Sequence, residues 1–191
     1  MIKDLVQKSR SYRRFDETYI INETLLRELI ELAHLSPTGS NMQPLKFCLS
    51  YQAEMNNKIF PALTWAGYLK DWSGPAEGER PTAYIIILGD KDVRESFGID
   101  HGIAAQSIML GAAEKGLGGC MIGSVKREEL RKELCIPERY EVHLVLALGK
   151  PAEKVVIDPL PEDGNTHYYR DAEGVHHVPK RSLDDLILKL D

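Results

Sequence analysis

Cysteine is the first scarcity. Cys48, Cys120 and Cys135 are the only three in 191 residues. They are widely spaced and form no C-x-x-C pair, which argues against a disulfide framework or a cysteine zinc site and suits a reducing compartment. Long apolar runs are missing too. None could span a bilayer, and the opening MIKDLVQKSR lacks the apolar centre of a signal peptide. The chain is therefore expected to stay in the cytoplasm. Neither sign of charge dominates: 24 Lys and Arg against 29 Asp and Glu give a net charge of -5. A nucleic-acid backbone or an acidic membrane surface demands a broad basic face that this balance does not supply. There is no G-x-S-x-G and no H-E-x-x-H. His176 and His177 are adjacent, so on a strand they face opposite sides. Nothing signals hydrolytic or metal chemistry.

What is present is globular: 43% hydrophobic and 28% charged residues. There is no internal repeat, and the chain reads as one domain, residues 1–191, with 150–191 as an extended arm. Helical spacing runs from Ile2 to Lys8. Asn22 reads as the N-cap of a second helix with an apolar stripe at Leu25, Leu26, Leu29, Ile30 and Ala33. Phe47–Tyr51 reads as a strand and Ala53–Phe60 as a helix. The run Ala83–Leu88 is β-branched and continuous, the mark of a strand buried on both faces. Asp100–Lys115 forms a helix with almost no polar face, which must lie in the core or between subunits. A glycine-rich exit, GLGGCMIGSV, leads into a strand. Lys126–Leu134 is a short charged helix and VHLVLALG a last core strand. The tail promises a hairpin around RDAEGVHH and a short helix from Leu183.

Chemistry concentrates in a few places. Arg10, Arg13 and Arg14 crowd around Ser11 and Tyr12 in an acidic chain, and Lys180 and Arg181 sit near its far end. Guanidinium groups give the forked geometry that phosphate favours. Each cluster taken singly is also what a solvated surface looks like. In SPTGSNMQP, Pro37 and Pro44 stiffen a loop whose Asn41 and Gln43 can both donate and accept, as the pyrimidine edge of a flavin would require. Gly116, Gly118 and Gly119 close a helix and enter a strand, the reverse of a dinucleotide fingerprint, so Gly116 is read as a helix cap. Gly123 would let Ile122–Ser124 bring backbone close to something flat.

Four segments in order then resemble the nitroreductase family: RSYRRF its N-terminal arginine motif, SPTGSNMQPLKF its P-S-x-x-N-x-Q-P-W-x-F loop, GIDHGIAAQSIMLGAAEKGLGGCMIGSV its buried helix and glycine exit, and ALGKP with PKRSLDDLI its closing strand and basic tail. Ser9 stands where the family often has a first arginine, and Leu45 replaces the tryptophan of the loop. The resemblance implies an α+β fold, a mainly antiparallel sheet flanked by helices, with a long buried core helix and a C-terminal arm wrapping a partner subunit. It implies a homodimer with FMN at the interface and NADH or NADPH as reductant. Arg10, Ser11 and Arg13 would meet the FMN phosphate and ring, Arg13 near N1 and O2. Pro37, Thr38, Gly39, Asn41 and Gln43 would reach the flavin from the partner. Ile122, Gly123 and Ser124 would line its central edge, and Lys180 and Arg181 would bind its phosphate. Arg14 is expected to point away. Trp65, Tyr68 and Trp72, in a stretch the family pattern does not cover, are candidates for the substrate pocket. The implied activity is hydride transfer through FMN to a nitroaromatic, quinone, enone or flavin. Reductive dehalogenation, oxygen-dependent flavin cleavage, a non-enzymatic FMN carrier and a plain anion binder stand as alternatives.

Overall fold

In the computed structural model, which describes residues 1–190, the chain gathers into two compact units: Met1–Trp65 with Gly74–Ala152, and Ala66–Ser73 with the chain from Glu153 on. The first unit holds α1 (Ile2–Lys8), β1 (Phe15–Asp16), α2 (Glu23–His34), β2 (Leu45–Ser50), α3 (Ala53–Ile59), β3 (Ala83–Asp90), α4 (Asp100–Glu114), β4 (Gly118–Ile122), α5 (Arg127–Glu133) and β5 (Tyr140–Pro151). The second holds β6 (Val155–Pro159), β7 (Tyr169–Arg170), β8 (His176–Lys180) and α6 (Leu183–Leu186).

β3 organises the first unit. Its β-branched run is buried at all eight positions, so both of its faces are covered. The sheet order is β1-β5-β3-β2, with β4 also paired to β5, and every pairing is antiparallel. Ala83, Ile85 and Ile87 share one face of β3 and join Leu146 and Leu148 of β5 in a core capped by α2 and α4. Each fully buried Ile or Leu there contributes roughly 1.5–3 kcal/mol of transfer free energy.

α2 starts as its sequence dictates, the Asn22 side chain accepting from Leu25 N–H at 2.9 Å. α4 lies directly against it. A Cβ on Gly111 would collide with the Leu32 side chain, so the bare glycine makes room for that leucine between the two helices. α4 packs one side into the core of its own chain, while Gly102 and Gln106 are exposed and Ile103 and Leu110 half-buried on the other. It ends in a Schellman motif: Gly116 adopts φ 69°, its N–H bonds Ala113 carbonyl at 3.1 Å, and Leu117 N–H bonds Ala112 carbonyl at 2.8 Å. At the far end of β3, buried Asp90 takes a fork from Arg139 at 2.6 and 2.7 Å.

Three expectations change. β2 begins at Leu45, two residues before the apolar run suggested, because the whole stretch pairs with β3 through Leu45↔Gly89. β1 and β6 went unseen: each is short and is defined by a partner distant in sequence, β5 and β8 respectively. The tail, expected as an extended arm with a hairpin, forms a three-stranded sheet, β6-β8-β7. It includes the expected hairpin, with Arg170 opposite His176, and it gathers residues 66–73. There Tyr68 stacks on His167 at 4.0 Å, and the Arg170 guanidinium lies 4.3 Å over Trp72 while pairing with Glu153 at 2.9 Å.

On β8 the two histidines do face opposite ways. His176 is buried. His177 is held between two carboxylates, Nδ1 2.6 Å from Asp158 Oδ2 and Nε2 3.1 Å from Asp171 Oδ2. The bond to Asp171, and then that to Asp158, raises the His177 pKa, and the same bond lowers that of Asp171. A histidine whose folded pKa is raised contributes stability that is complete below its unfolded pKa, roughly 6.5, and is lost as pH rises through the folded value. Hydrogen-exchange protection of the β7–β8 amides, corrected for intrinsic rates, is therefore expected to fall as pH rises above about 6.5 and through the raised folded pKa. His177→Gln is expected to flatten that fall while leaving β3 protection unchanged.

Candidate functional site

The arginine segment is positioned by backbone pairing. Leaving α1, the chain runs beside β4: Ser11 bridges Gly119 in the parallel sense, and Tyr12 N–H donates to Gly119 carbonyl at 2.9 Å. The Tyr12 ring occupies the space a side chain at Gly118 would need. Fully buried Phe15 then anchors the segment's end. Between them the arginines take separate fates. Arg13 is 8% exposed, with Nη1 donating to Ser11 carbonyl at 3.2 Å. Arg14 turns to Glu79, Nε 3.3 Å from Oε2. Arg10 folds back to donate Nη2 to Val6 carbonyl at 2.6 Å, a cation at the negative end of α1.

β4 delivers Ile122, Gly123 and Ser124. Ile122 is buried, and the next two residues are exposed. The Gly123 carbonyl accepts from Arg127 Nη2 at 3.2 Å and from Val125 N–H at 3.0 Å; the Ser124 carbonyl accepts from Thr64 N–H at 2.9 Å. With both carbonyls engaged, what this turn has left to offer is N–H groups. Arg10, Ser11 and Arg13 thus share one strand with Ile122–Ser124: the first set lies beside its start and the second forms its exit.

The proline-bounded loop is built differently. Ser40, Asn41 and Gln43 adopt φ of 52°, 53° and 50°, left-handed backbone that non-glycine residues enter at a cost of order 1–3 kcal/mol each. Local bonds hold it: Asn41 N–H to Thr38 carbonyl at 3.0 Å, Met42 N–H to Gly39 carbonyl at 3.1 Å, and Gln43 N–H to Thr38 Oγ1 at 3.2 Å. Its anchor is Asp100, 3% exposed, whose Oδ1 accepts from Gly39 N–H at 2.9 Å while Oδ2 has no hydrogen-bond partner. A cleft of about 390 Å³ opens behind the loop between Pro37, Thr38, Gln43, His34, Phe47 and Asp100. The loop sits at the N-terminal end of α4. The arginine segment sits where α4, having run its 15 residues, turns into β4.

The remaining candidates fall elsewhere. Trp65 is buried in the first unit, its ring 5.9 Å from that of Phe60, and serves as packing. Tyr68 and Trp72 belong to the second unit, as do Lys180, which ends β8, and Arg181, which precedes the N-cap Ser182 of α6; both of these basic residues are exposed. Sequence reasoning missed Asp100 and Tyr12. An acidic residue in the first turn of a helix reads as a complement to the helix dipole, and only the folded chain shows it gripping Gly39. Tyr12 owes its role to the bare Gly118 beneath it. The one available signal was a glycine doublet with no helix to cap.

A model of the Nitroreductase family matches residues 6–150. A protein of Archaeoglobus fulgidus, provisionally named NADH dehydrogenase/NAD(P)H nitroreductase, is 28% identical over 158 residues, which is 78% of this chain and 85% of the relative. The nitroreductase family protein of Streptococcus pneumoniae TIGR4 superposes with a TM-score of 0.73 over 100% of both chains at 18% identity. A structure from Exiguobacterium sibiricum 255-15, described provisionally as a nitroreductase in complex with FMN, gives 0.66 at 20% identity over 80% of this chain and 89% of that one. At such identities these two structures establish a shared fold.

The strand that joins the two parts of the site distinguishes its glycines. A Cβ at Gly119 would meet the Ala147 carbonyl, whereas at Gly123 the nearest atom, Leu144 Cδ1, is 4.0 Å away. Gly119→Ala is expected to lower stability by about 1–3 kcal/mol. Gly123→Ala should stay within about 0.5 kcal/mol of the parent. Urea unfolding at an unchanged m value measures both.

Proposed function

The chain belongs to the nitroreductase family, and we propose that it is an oxidoreductase that passes hydride from NADH or NADPH through FMN to an electron-poor acceptor: a nitroaromatic, quinone, enone or free flavin. One observation carries this reading. The Ser11↔Gly119 bridge sets a nearly buried guanidinium, Arg13, beside a strand whose exit exposes Gly123 and Ser124. That is a fixed cation and a bare backbone edge on one rigid element, which suits a flat anionic cofactor better than a solvated surface. The names of relatives that mention NAD(P)H, and the FMN complex among the structural neighbours, point the same way.

FMN would supply the hydride chemistry at its N5, so no side-chain nucleophile is required. Position and electrostatics are left to the protein. In this reading Arg13 would hold the ring edge where reduction places negative charge, N1 and O2, and would raise the potential. Ser11 and Arg10 would serve the phosphate, the role also proposed for Lys180 and Arg181 of the arm. Ile122, Gly123 and Ser124 present backbone to the ring's central edge. Pro37, Thr38, Gly39, Asn41 and Gln43 come from a second copy of the chain. Residues 1–191 then act as one FMN-binding domain with 150–191 as its arm. The spacing supports a second copy: loop and arginine segment stand at opposite ends of α4, roughly 22 Å apart along its axis. Leu183, Leu186, Ile187, Leu188 and Leu190 are all exposed in this chain, an apolar stretch that a partner would cover. Tyr68 and Trp72 keep their place as candidate pocket aromatics.

The purified protein is expected to be yellow, to release FMN on heating and to sediment as a dimer of the 21.5 kDa chain. FAD as the main released species, a colourless protein that takes up no flavin, or a flavin-loaded monomer would each contradict the reading. With FMN added to saturation, Arg13→Ala is expected to lower the flavin midpoint potential by roughly 30–60 mV, the equivalent of one charge-assisted hydrogen bond in a two-electron couple. It should also slow reduction by NAD(P)H. Arg14→Ala, whose parent side chain pairs with Glu79, should change neither. A dye-equilibrated reductive titration reads both; parental potential with only weaker FMN binding would make Arg13 a positioning residue.

A further inference from the structure

Away from β4 and the loop, a second cleft of about 350 Å³ opens in the first unit. It lies at the start of β3, beside α3 and the segment that follows β1. Its floor comes from the bend that leads into β3: Arg80 and Thr82 from the bend and Tyr84 from the strand all line the cleft. Two of them carry a buried polar atom with no partner. Thr82 is 8% exposed, and its Oγ1 is buried with no hydrogen-bond partner. The Arg80 Nε is likewise buried and unpartnered, its guanidinium lying 4.5 Å over the Phe60 ring. Tyr84 is 1% exposed. Burial pushes its phenol pKa up, against the opposing pull of nearby Arg80, so it stays a neutral donor.

Several other polar groups around the cleft are occupied. Asn56 accepts from Ser50 Oγ at 2.7 Å and donates to Thr82 carbonyl at 2.8 Å. Tyr51 Oη donates to Glu23 at 2.8 Å. Glu17 Oε2 takes the N–H groups of Gly78, at 2.5 Å, and Arg80, at 3.2 Å. Besides the Glu77 carboxylate at its edge, what remains open is the set of donors from Arg80, Thr82 and Tyr84, with Ile20, Phe60 and Pro81 as apolar wall.

We propose that this cleft binds a small monocarboxylate with an apolar or aromatic body, its two oxygens received by the Arg80 guanidinium and the Thr82 and Tyr84 hydroxyls. A forked guanidinium matches a planar carboxylate. A dianion such as phosphate is disfavoured, because Glu17 and Glu77 also line the cleft. The volume lies at the small end of ligand pockets, roughly 300–1,000 Å³, and suits a single ring or short chain. Nothing here depends on the flavin, and none of the residues assigned to FMN lines this cleft.

The probe is benzoate, with benzamide as its neutral counterpart, titrated calorimetrically into the protein as purified while flavin absorbance is followed. Saturable benzoate binding is expected, at least about tenfold tighter than benzamide, with no change in the flavin spectrum. Arg80→Gln should weaken benzoate at least about tenfold, the loss of a charge-assisted pair. Thr82→Val should weaken it several-fold yet leave the thermal midpoint unchanged or higher, because it removes a buried hydroxyl that nothing in the free protein satisfies. A purely structural Thr82 would lower the midpoint instead. Absence of saturable binding overturns the proposal. So does parental affinity in Arg80→Gln, above all if benzoate shifts the flavin spectrum, which would put it at the flavin. Should Arg80→Gln lose its fold, parental affinity in Thr82→Val overturns the proposal by itself. A colourless protein would sink the flavin reading and leave this titration intact.

Discussion

The approach of α4 to α2 at Gly111 is the contact on which the rest of the first unit depends. The core-facing side of a helix of small and apolar residues can be sealed only if its neighbours come close, and at Gly111 the Leu32 side chain fills the space a Cβ would take. Once α4 is fixed, both of its ends become fixed points. Asp100 at one end grips Gly39. The Schellman turn at the other aims the chain into β4, against which Ser11 and Tyr12 are laid. Loop and arginine segment are therefore not independent surface features. They are two ends of one buried rod, and their separation is as rigid as the rod.

Burial then sorts residues that composition cannot tell apart. Three arginines within five positions have the same charge and much the same reach. One is tied to a helix end, one is nearly buried, and one is paired at the surface. The difference comes from alternation along an extended segment pinned by Phe15, and not from any property of the side chains. The aromatic residues divide the same way: Trp65 packs within the first unit, while Tyr68 and Trp72 join the second.

What could be read from the sequence follows from how local each signal is. β3 and α4 were legible because their burial is written residue by residue in β-branched and small apolar side chains. The Asn22 cap, the Gly116 turn and the hairpin after Arg170 were legible because turn chemistry is a matter of a few neighbours. β1 and β6 were not, since a two- or five-residue strand exists only by virtue of a partner far along the chain. Residues 66–73 were not either: they pack with the tail across some eighty intervening positions, and no periodicity encodes that. The candidate site was legible in its residue types and motifs. The pairing of Ser11 with Gly119 and the grip of Asp100 on Gly39 had to be seen in the folded chain.

The left-handed backbone at Ser40, Asn41 and Gln43 has an evolutionary consequence. Asparagine tolerates that conformation better than most residues, whereas serine and glutamine do so less readily. Glycine at positions 40 or 43 would relieve the backbone, and selection for a sturdier fold alone would drift toward it. The scaffold has to supply enough surplus stability elsewhere, chiefly under α4, to tolerate side chains its own folding does not favour. Descendants of this chain with a weakened core would reach their stability threshold sooner than relatives with a relaxed loop, so the freedom of the core to vary is limited by three exposed residues that never enter it.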